Sequence, residues 1–308
     1  MAALPAALVC SRTRPVHLVQ SVTGLTEGRS RSSQLDDLLR SIESWVAVDL
    51  EHPRRMGDPV HPAHRPGWSF YLHRRHEPRP DKPRSGASGL IVTPEHSGTH
   101  VDALCHQALH MRLFGNIQVS SQNQGPLGME ALSAETVPAL VCRGILLDLA
   151  AGRPGPLAQN HLVTASELSE CESRQGVTVR EGDVVLVRTG YGGLWMHPDV
   201  YLRAAGLGPA AARWLAERRV RAVGADNMAL DVIGYVDPDS GLDLPCHVCL
   251  LVERGIYILE NLDLEELARL RAGVFLFICA PLKIVGGTGS PVRPVALVPR
   301  ALGEWPEL

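Results

Sequence analysis

Residues 96–106 read His96-Ser97-Gly98-Thr99-His100-Val101-Asp102-Ala103-Leu104-Cys105-His106, which puts three histidines and one aspartate in eleven positions. His96 and His100 have the four-residue spacing of a helical face. Gly98-Thr99 is a poor helix interior, however, and the glutamate of the HExxH pattern is missing. The spacing instead predicts His96 on a turn closed by Gly98. His100 and Asp102 then lie on one side of an extended segment, because strand residues two apart share a face. Two imidazoles and a carboxylate that converge in this way suit a divalent ion with room for a reactant, whereas a thiolate cage would be structural. His106 is read as a fourth ligand or a proton-transfer group, imidazole being suited to acid–base work at neutral pH.

Working outward, residues 90–93 form a β-rich run that leads into this stretch. Further short strands are predicted over 47–50, 143–149, 183–188, 222–225, 256–259 and 274–280. Apolar residues at helical spacing predict helices over 33–48, 165–175, 209–218 and 264–271. Short strands interleaved with helices give an α/β fold class. Residues 52–84, dense in proline, arginine and histidine, read as an irregular loop. No internal repeat is visible. The organisation expected is a mobile N-terminal arm over 1–34 followed by a single domain over 35–308.

Composition narrows the function. Thirty Lys+Arg against 33 Asp+Glu leave a net charge of −3, which removes the electrostatic case for a nucleic-acid or anionic-lipid partner. Aromatic residues are 5% of the chain, too few for base-stacking platforms. No apolar run approaches the roughly 18–20 residues that span a bilayer, so no membrane partner is expected. Seven scattered cysteines read as reduced thiols and predict a cytoplasmic protein. Cys246-His247-Val248-Cys249 is half of a zinc knuckle with no second pair, so its sulfurs are assigned to packing. Cys105 as a nucleophile would leave the metal ligands idle. Gly286-Gly287-Thr288-Gly289 lacks the phosphate-loop pattern and reads as a loop shaping the site mouth.

The 96–106 run resembles the HxGTHxDxxxH signature of the cyclase-like metal-dependent hydrolases, the family of bacterial kynurenine formamidases and isatin hydrolases. Four more segments are similar to that family in the same order. They are Asp49-Leu50 with residues 56–62, the strand over 182–190, His247 through Glu260-Asn261-Leu262, and the loop over 281–293. The resemblance implies a single swivelling β/β/α domain. It implies that His96, His100 and Asp102 hold one metal, that Asp102 bridges to a second completed by His247 and Glu260, and that His106 shuttles protons. Zinc or manganese, one or two ions per subunit, and a homo-oligomer (dimer or tetramer) acting on a small-molecule substrate are implied with it. The leading activity is that of an arylformamidase of the N-formylkynurenine type, as in tryptophan catabolism. Ring opening of isatin or another cyclic amide or lactone is the alternative within the enzymes, and a non-catalytic metal-binding protein on the same fold is the alternative outside them.

The chain also departs from its relatives. His61 stands where the formamidases carry a tryptophan against an aryl substrate, and Leu104 stands where many members have proline. Trp68 and Tyr71 are expected to supply the missing aromatic wall. Arg74, Arg75, Arg79 and Arg84 are candidates for a substrate carboxylate.

Overall fold

The run Val184-Val185-Leu186-Val187 is apolar without interruption, the mark of a strand buried on both faces. The computed structural model describes residues 31–300. In chain order the strands are β1 (Trp45–Asp49), β2 (Ser69–Arg74), β3 (Ser88–Val92), β4 (His100–Asp102), β5 (Leu140–Asp148) and β6 (Val184–Arg188). They continue with β7 (Ala222–Ala225), β8 (Tyr257–Glu260), β9 (Val274–Cys279), β10 (Gly289–Pro291) and β11 (Val295–Pro299). Nine of these form one sheet in the order β1-β11-β9-β5-β6-β7-β8-β4-β10. Its centre, β5 to β8, is parallel, and every pairing outside that centre is antiparallel.

Alternation along β6 feeds two cores. Val185 and Val187 pack into a cluster with Leu168, Ala211, Leu215 and Leu250 on one face. Val184 and Leu186 join Val48, Leu267 and Phe277 on the other. Each fully buried Val or Leu side chain stabilises the fold by roughly 1.5–3 kcal/mol. The first face is covered by α2 (Ala165–Gln175) and α3 (Pro209–Glu217). Thr164 and Glu167 close a capping box at the start of α2, and Gly176 ends it in the left-handed conformation. On the second face lies α4 (Glu265–Arg269).

The α/β class expected from the sequence is the one observed, but some boundaries move. The helix expected over 33–48 is α1 (Arg31–Glu43), because Trp45–Asp49 pairs with β11 instead. The described residues fall into two units that divide between Glu43 and Ser44. Residues 1–30 of the expected arm lie outside the described residues. The loop expected over 52–84 contains β2, which pairs with β3 as a two-stranded hairpin tipped by the basic run 75–87.

Candidate metal centre

The site is built where β4 lies between β8 and β10. In that register His100 stands directly opposite Glu260 and Asp102 opposite Ile258, so His100, Asp102 and Glu260 share a face. The turn before β4 depends on glycine: Gly98 has φ +62°, and a Cβ there would come within 2.8 Å of Arg54 Nη1. Arg54 clamps the turn by donating to the carbonyls of Ser97 and Thr99. On the other side, Gly289 of β10 leaves room for the His96 ring, whose Cε1 would lie 2.6 Å from an added Cβ. His247 enters from the helical turn Pro245–His247, whose neighbours Cys246, Cys249 and Leu250 sit in the first core.

The ring nitrogens are oriented by the backbone and by a further carboxylate. His100 Nδ1 donates to the Gly98 carbonyl at 2.8 Å, which leaves Nε2 facing Glu260 Oε2 at 3.3 Å and Asp102 Oδ1 at 3.5 Å. His247 Nδ1 is 2.8 Å from Asp231 Oδ2, which leaves its Nε2 facing Glu260 Oε1 at 3.2 Å and Asp102 Oδ2 at 3.4 Å. His96 is held differently, with Nδ1 2.8 Å from Asp102 Oδ1 and Nε2 2.9 Å from Thr288 Oγ1. His106 stacks on His96 with ring centroids 3.9 Å apart, and neither of its ring nitrogens has a hydrogen-bond partner among the described residues.

These residues fit a divalent cation. Asp102 Oδ2 and Glu260 Oε1 are buried without a hydrogen-bond partner. Buried carboxylate oxygens are costly unless something positive answers them. No lysine or arginine of the described residues pairs with Asp102, Glu260 or Asp231; the ionisable groups that pair with them are imidazoles. Burial by itself would lower the pKa of His100, yet the adjoining Asp102 and Glu260 carboxylates raise it to about 10. Burial opposes the ionisation of Asp102, and the surrounding imidazoles hold its carboxyl well below the usual range. In this arrangement protons on the rings answer the carboxylates, the role a metal takes when bound. His96, His100 and Asp102 bring ligand atoms within 4.8 Å of one another, as do Asp102, His106 and His247.

A cavity of about 160 Å³ opens on the cluster, lined by His61, His64, His106, His247 and Glu260 together with apolar Val60, Met228 and Leu244. His61 is therefore at the cavity, as the sequence suggested. Trp68 is not: its ring lies under the Arg54 guanidinium, 5.5 Å from centroid to Cζ. Tyr71 points out of the β2–β3 hairpin and is 52% exposed, so neither residue forms an aromatic wall. Arg74, Arg75, Arg79 and Arg84 line a separate cavity at the hairpin tip and do not reach the cluster. The expectations for Cys105 and Cys246 hold: burial pushes the Cys105 thiol up to about 12, and Cys246 is fully buried in the core.

Several residues of the site escape a sequence reading. His64 stacks on His96 at 4.8 Å, and burial first, with His96 second, pushes its pKa down to about 4. The signal for His64 is its spacing from His61, since residues three apart eclipse on a 3-10 turn such as Pro62–His64. Asp231 accepts from the backbone N–H groups of Cys246 and His247 as well as from the imidazole, so it positions the whole turn. Asn261, with φ +55°, donates from Nδ2 to the Gly98 carbonyl and accepts from the buried Tyr201 hydroxyl. Removal of such an orienting partner typically weakens metal binding by about 10–100-fold. Asp231→Asn is expected to do so in a chelator-competition titration, with the fold retained. Unchanged affinity in the folded variant would show that His247 needs no such support.

The family model described as putative cyclase matches residues 48–232. The chain belongs to this family. Among its relatives, a kynurenine formamidase from Delftia acidovorans is 34% identical over 209 residues, covering 68% of this chain and 78% of that one. A solved structure described as a novel cyclase superimposes with a TM-score of 0.72 at 28% identity, covering 85% of this chain and 89% of that one. Isatin hydrolase A from Labrenzia aggregata, bound to benzyl benzoate, gives a TM-score of 0.66 at 26% identity, covering 88% of this chain and all of the other. The cyclase-family chain thus shares its mixed α/β fold with proteins named as hydrolases and carries a buried His/Asp cluster compatible with a metal.

Proposed function

We propose that this chain is a metal-dependent hydrolase of small aryl amides, with the arylformamidase reaction as its leading activity. The observation that carries the reading is the pair of buried carboxylate oxygens, Asp102 Oδ2 and Glu260 Oε1, which make no hydrogen bond and share the single His247 Nε2 at 3.4 and 3.2 Å, beside a cavity that also holds the unpaired imidazole of His106. His100, Asp102, His247 and Glu260 would hold the ion, zinc or manganese, with His96 fixing the Asp102 carboxylate and available as a further ligand. Such an ion polarises a carbonyl and lowers the pKa of bound water from 15.7 to about 7. Burial pushes His106 down to about 3, so its ring enters the reaction neutral and can accept a proton at a free ring nitrogen. The same nitrogen then passes that proton to the departing amine nitrogen. His61, Val60, Met228 and Leu244 bound a space of about 160 Å³, close to the roughly 150 Å³ of a cavity that takes one benzene ring.

One observation favours the second reading, ring opening of a neutral cyclic amide such as isatin. Among the described residues, no lysine or arginine lines the cavity to answer a substrate carboxylate. Metal-loaded protein assayed with N-formylkynurenine, isatin and a cyclic imide decides between them. Turnover of the first alone is the expected result. Turnover of isatin alone selects ring opening, and turnover of none overturns the hydrolase reading.

A second copy of the chain is the partner that goes with this proposal. Phe70, Tyr71, Leu90, Ile91 and Val92 of the β2–β3 hairpin are all 42% exposed or more. An isolated two-stranded ribbon is marginal on its own. A cytoplasmic setting accords with the six described cysteines, all free thiols. No helix among the described residues is long and apolar enough to cross a membrane.

A further inference from the structure

A second groove, of about 970 Å³, shares no residue with the cavity at the metal centre. It lies where β5 and β6 end, between the C-terminal ends of α2 and α4. Val177, Val274, Ala151 and Ala268 contribute its apolar surface, and Arg153, Arg174 and Arg271 contribute guanidinium groups. None of these three arginines has a carboxylate partner among the described residues. Arg153 Nε donates to the Leu149 carbonyl at 3.2 Å and Arg174 Nη2 to the Asp148 carbonyl at 3.0 Å, while the Arg271 side chain has no bond. Arg188, in the same groove, shows the contrast: it is fixed by Asp148 at 2.9 Å and by Glu265 at 2.7 Å. In a chain with a net charge of −3, three uncompensated guanidiniums around one groove are a local concentration of positive charge.

The backbone at Arg271 lies in the left-handed region, which makes a glycine substitution there a clean test. Arg271 N–H bonds to the Ala268 carbonyl and Ala272 N–H to the Leu267 carbonyl, which makes Arg271 the left-handed residue that ends α4, with φ +51°. Glycine is the residue that occupies this position without strain. The chain places an arginine there and its glycine two residues later, at Gly273. The same conformation recurs at Arg219, the residue after the cap of α3.

We propose that this groove is a second binding site, taking a small organic dianion with an apolar body of about one ring. Guanidinium forks match the paired oxygens of phosphate and carboxylate, and the apolar surface accepts the ring. The assignment does not depend on the metal centre.

Isothermal titration of the full chain with phenyl phosphate and with phthalate tests it and separates the two oxyanion sources. Inorganic phosphate and benzyl alcohol serve as the arms that lack the ring or the charge. Saturable binding of at least one aromatic anion is expected, at one site per chain and tighter than either control. Arg271→Gly should weaken it tenfold or more without loss of thermal stability, because glycine relieves the left-handed backbone. Arg174→Gln should weaken it in the same direction. The proposal is overturned if neither aromatic anion binds saturably or if both variants bind as the parent does. Inorganic phosphate binding as tightly as phenyl phosphate would equally overturn it, since the apolar surface would then contribute nothing.

Discussion

An Asp102→Asn protein is expected to lose its divalent metal and, with it, turnover by about 10³-fold or more, since Lewis-acid stabilisation contributes several kcal/mol to such transition states. Asp102 is the residue on which the centre converges. It lies 2.8 Å from His96, 3.5 Å from His100 and 3.4 Å from His247, and its Oδ2, which faces His247, makes no hydrogen bond. Asparagine keeps the shape and opens no cavity, so the change isolates charge from packing. Without the metal, the substitution also removes the carboxylate that holds the His100 and His247 pKa values up. Their rings should then shed protons at lower pH. Elemental analysis alongside circular dichroism checks the prediction. A folded variant with undiminished metal would contradict the assignment of Asp102.

His106→Ala should lower kcat by about 10²–10⁴-fold, the usual contribution of a positioned acid–base group, while metal content stays at the parent level. His106 lines the cavity, stacks on His96 at 3.9 Å, and has two unengaged ring nitrogens. The sign of its pH dependence follows from its surroundings. Burial lowers its pKa from 6.5 to about 3, with His96 and His247 pushing the same way and Asp102 opposing. A cation bound beside Asp102 would push it lower still. The ring is therefore already the unprotonated base at pH 5, and rates should not gain a His106 limb between pH 5 and 8. Any loss of activity in acid above that range should follow loss of metal, as protons return to the His100 and His247 rings. Steady-state rates across pH 4–9 for both proteins, with metal quantified in each, separate this role from that of a ligand. Metal lost together with rate would make His106 a ligand instead.

Much of the fold is legible in the sequence because its central strands are buried on both faces. Uninterrupted apolar runs such as 184–187 declare themselves, and α2 is bracketed by Thr164 and Gly176. β3 is legible as the β-rich run over 90–93, but its hairpin partner β2 is not. The hairpin stem is exposed and carries no half-buried alternation, and the proline-rich, basic tip dominates the composition of the segment. The centre divides in the same way. His96, His100, Asp102 and His106 announce themselves because a turn and one short strand bring them together locally. His247 and Glu260 are visible only through family resemblance, since strand pairing across the sheet brings Glu260 beside β4 and a helical turn held by Asp231 brings His247. Arg54, Asp231 and Asn261 leave no trace in the sequence: each acts on a partner its own segment does not reveal, as when Asn261 holds the Gly98 carbonyl. The stacking of Trp68 on Arg54 and the exposure of Tyr71 are likewise not legible, because proximity in sequence does not fix the direction of a ring.

Anomalous diffraction from crystals grown with manganese or zinc is the most direct test of the metal centre. A peak is expected among His100 Nε2, His247 Nε2, Asp102 and Glu260, within bonding distance of Asp102 Oδ2 and Glu260 Oε1. Metal-loaded, active crystals without a peak at that position would contradict the account.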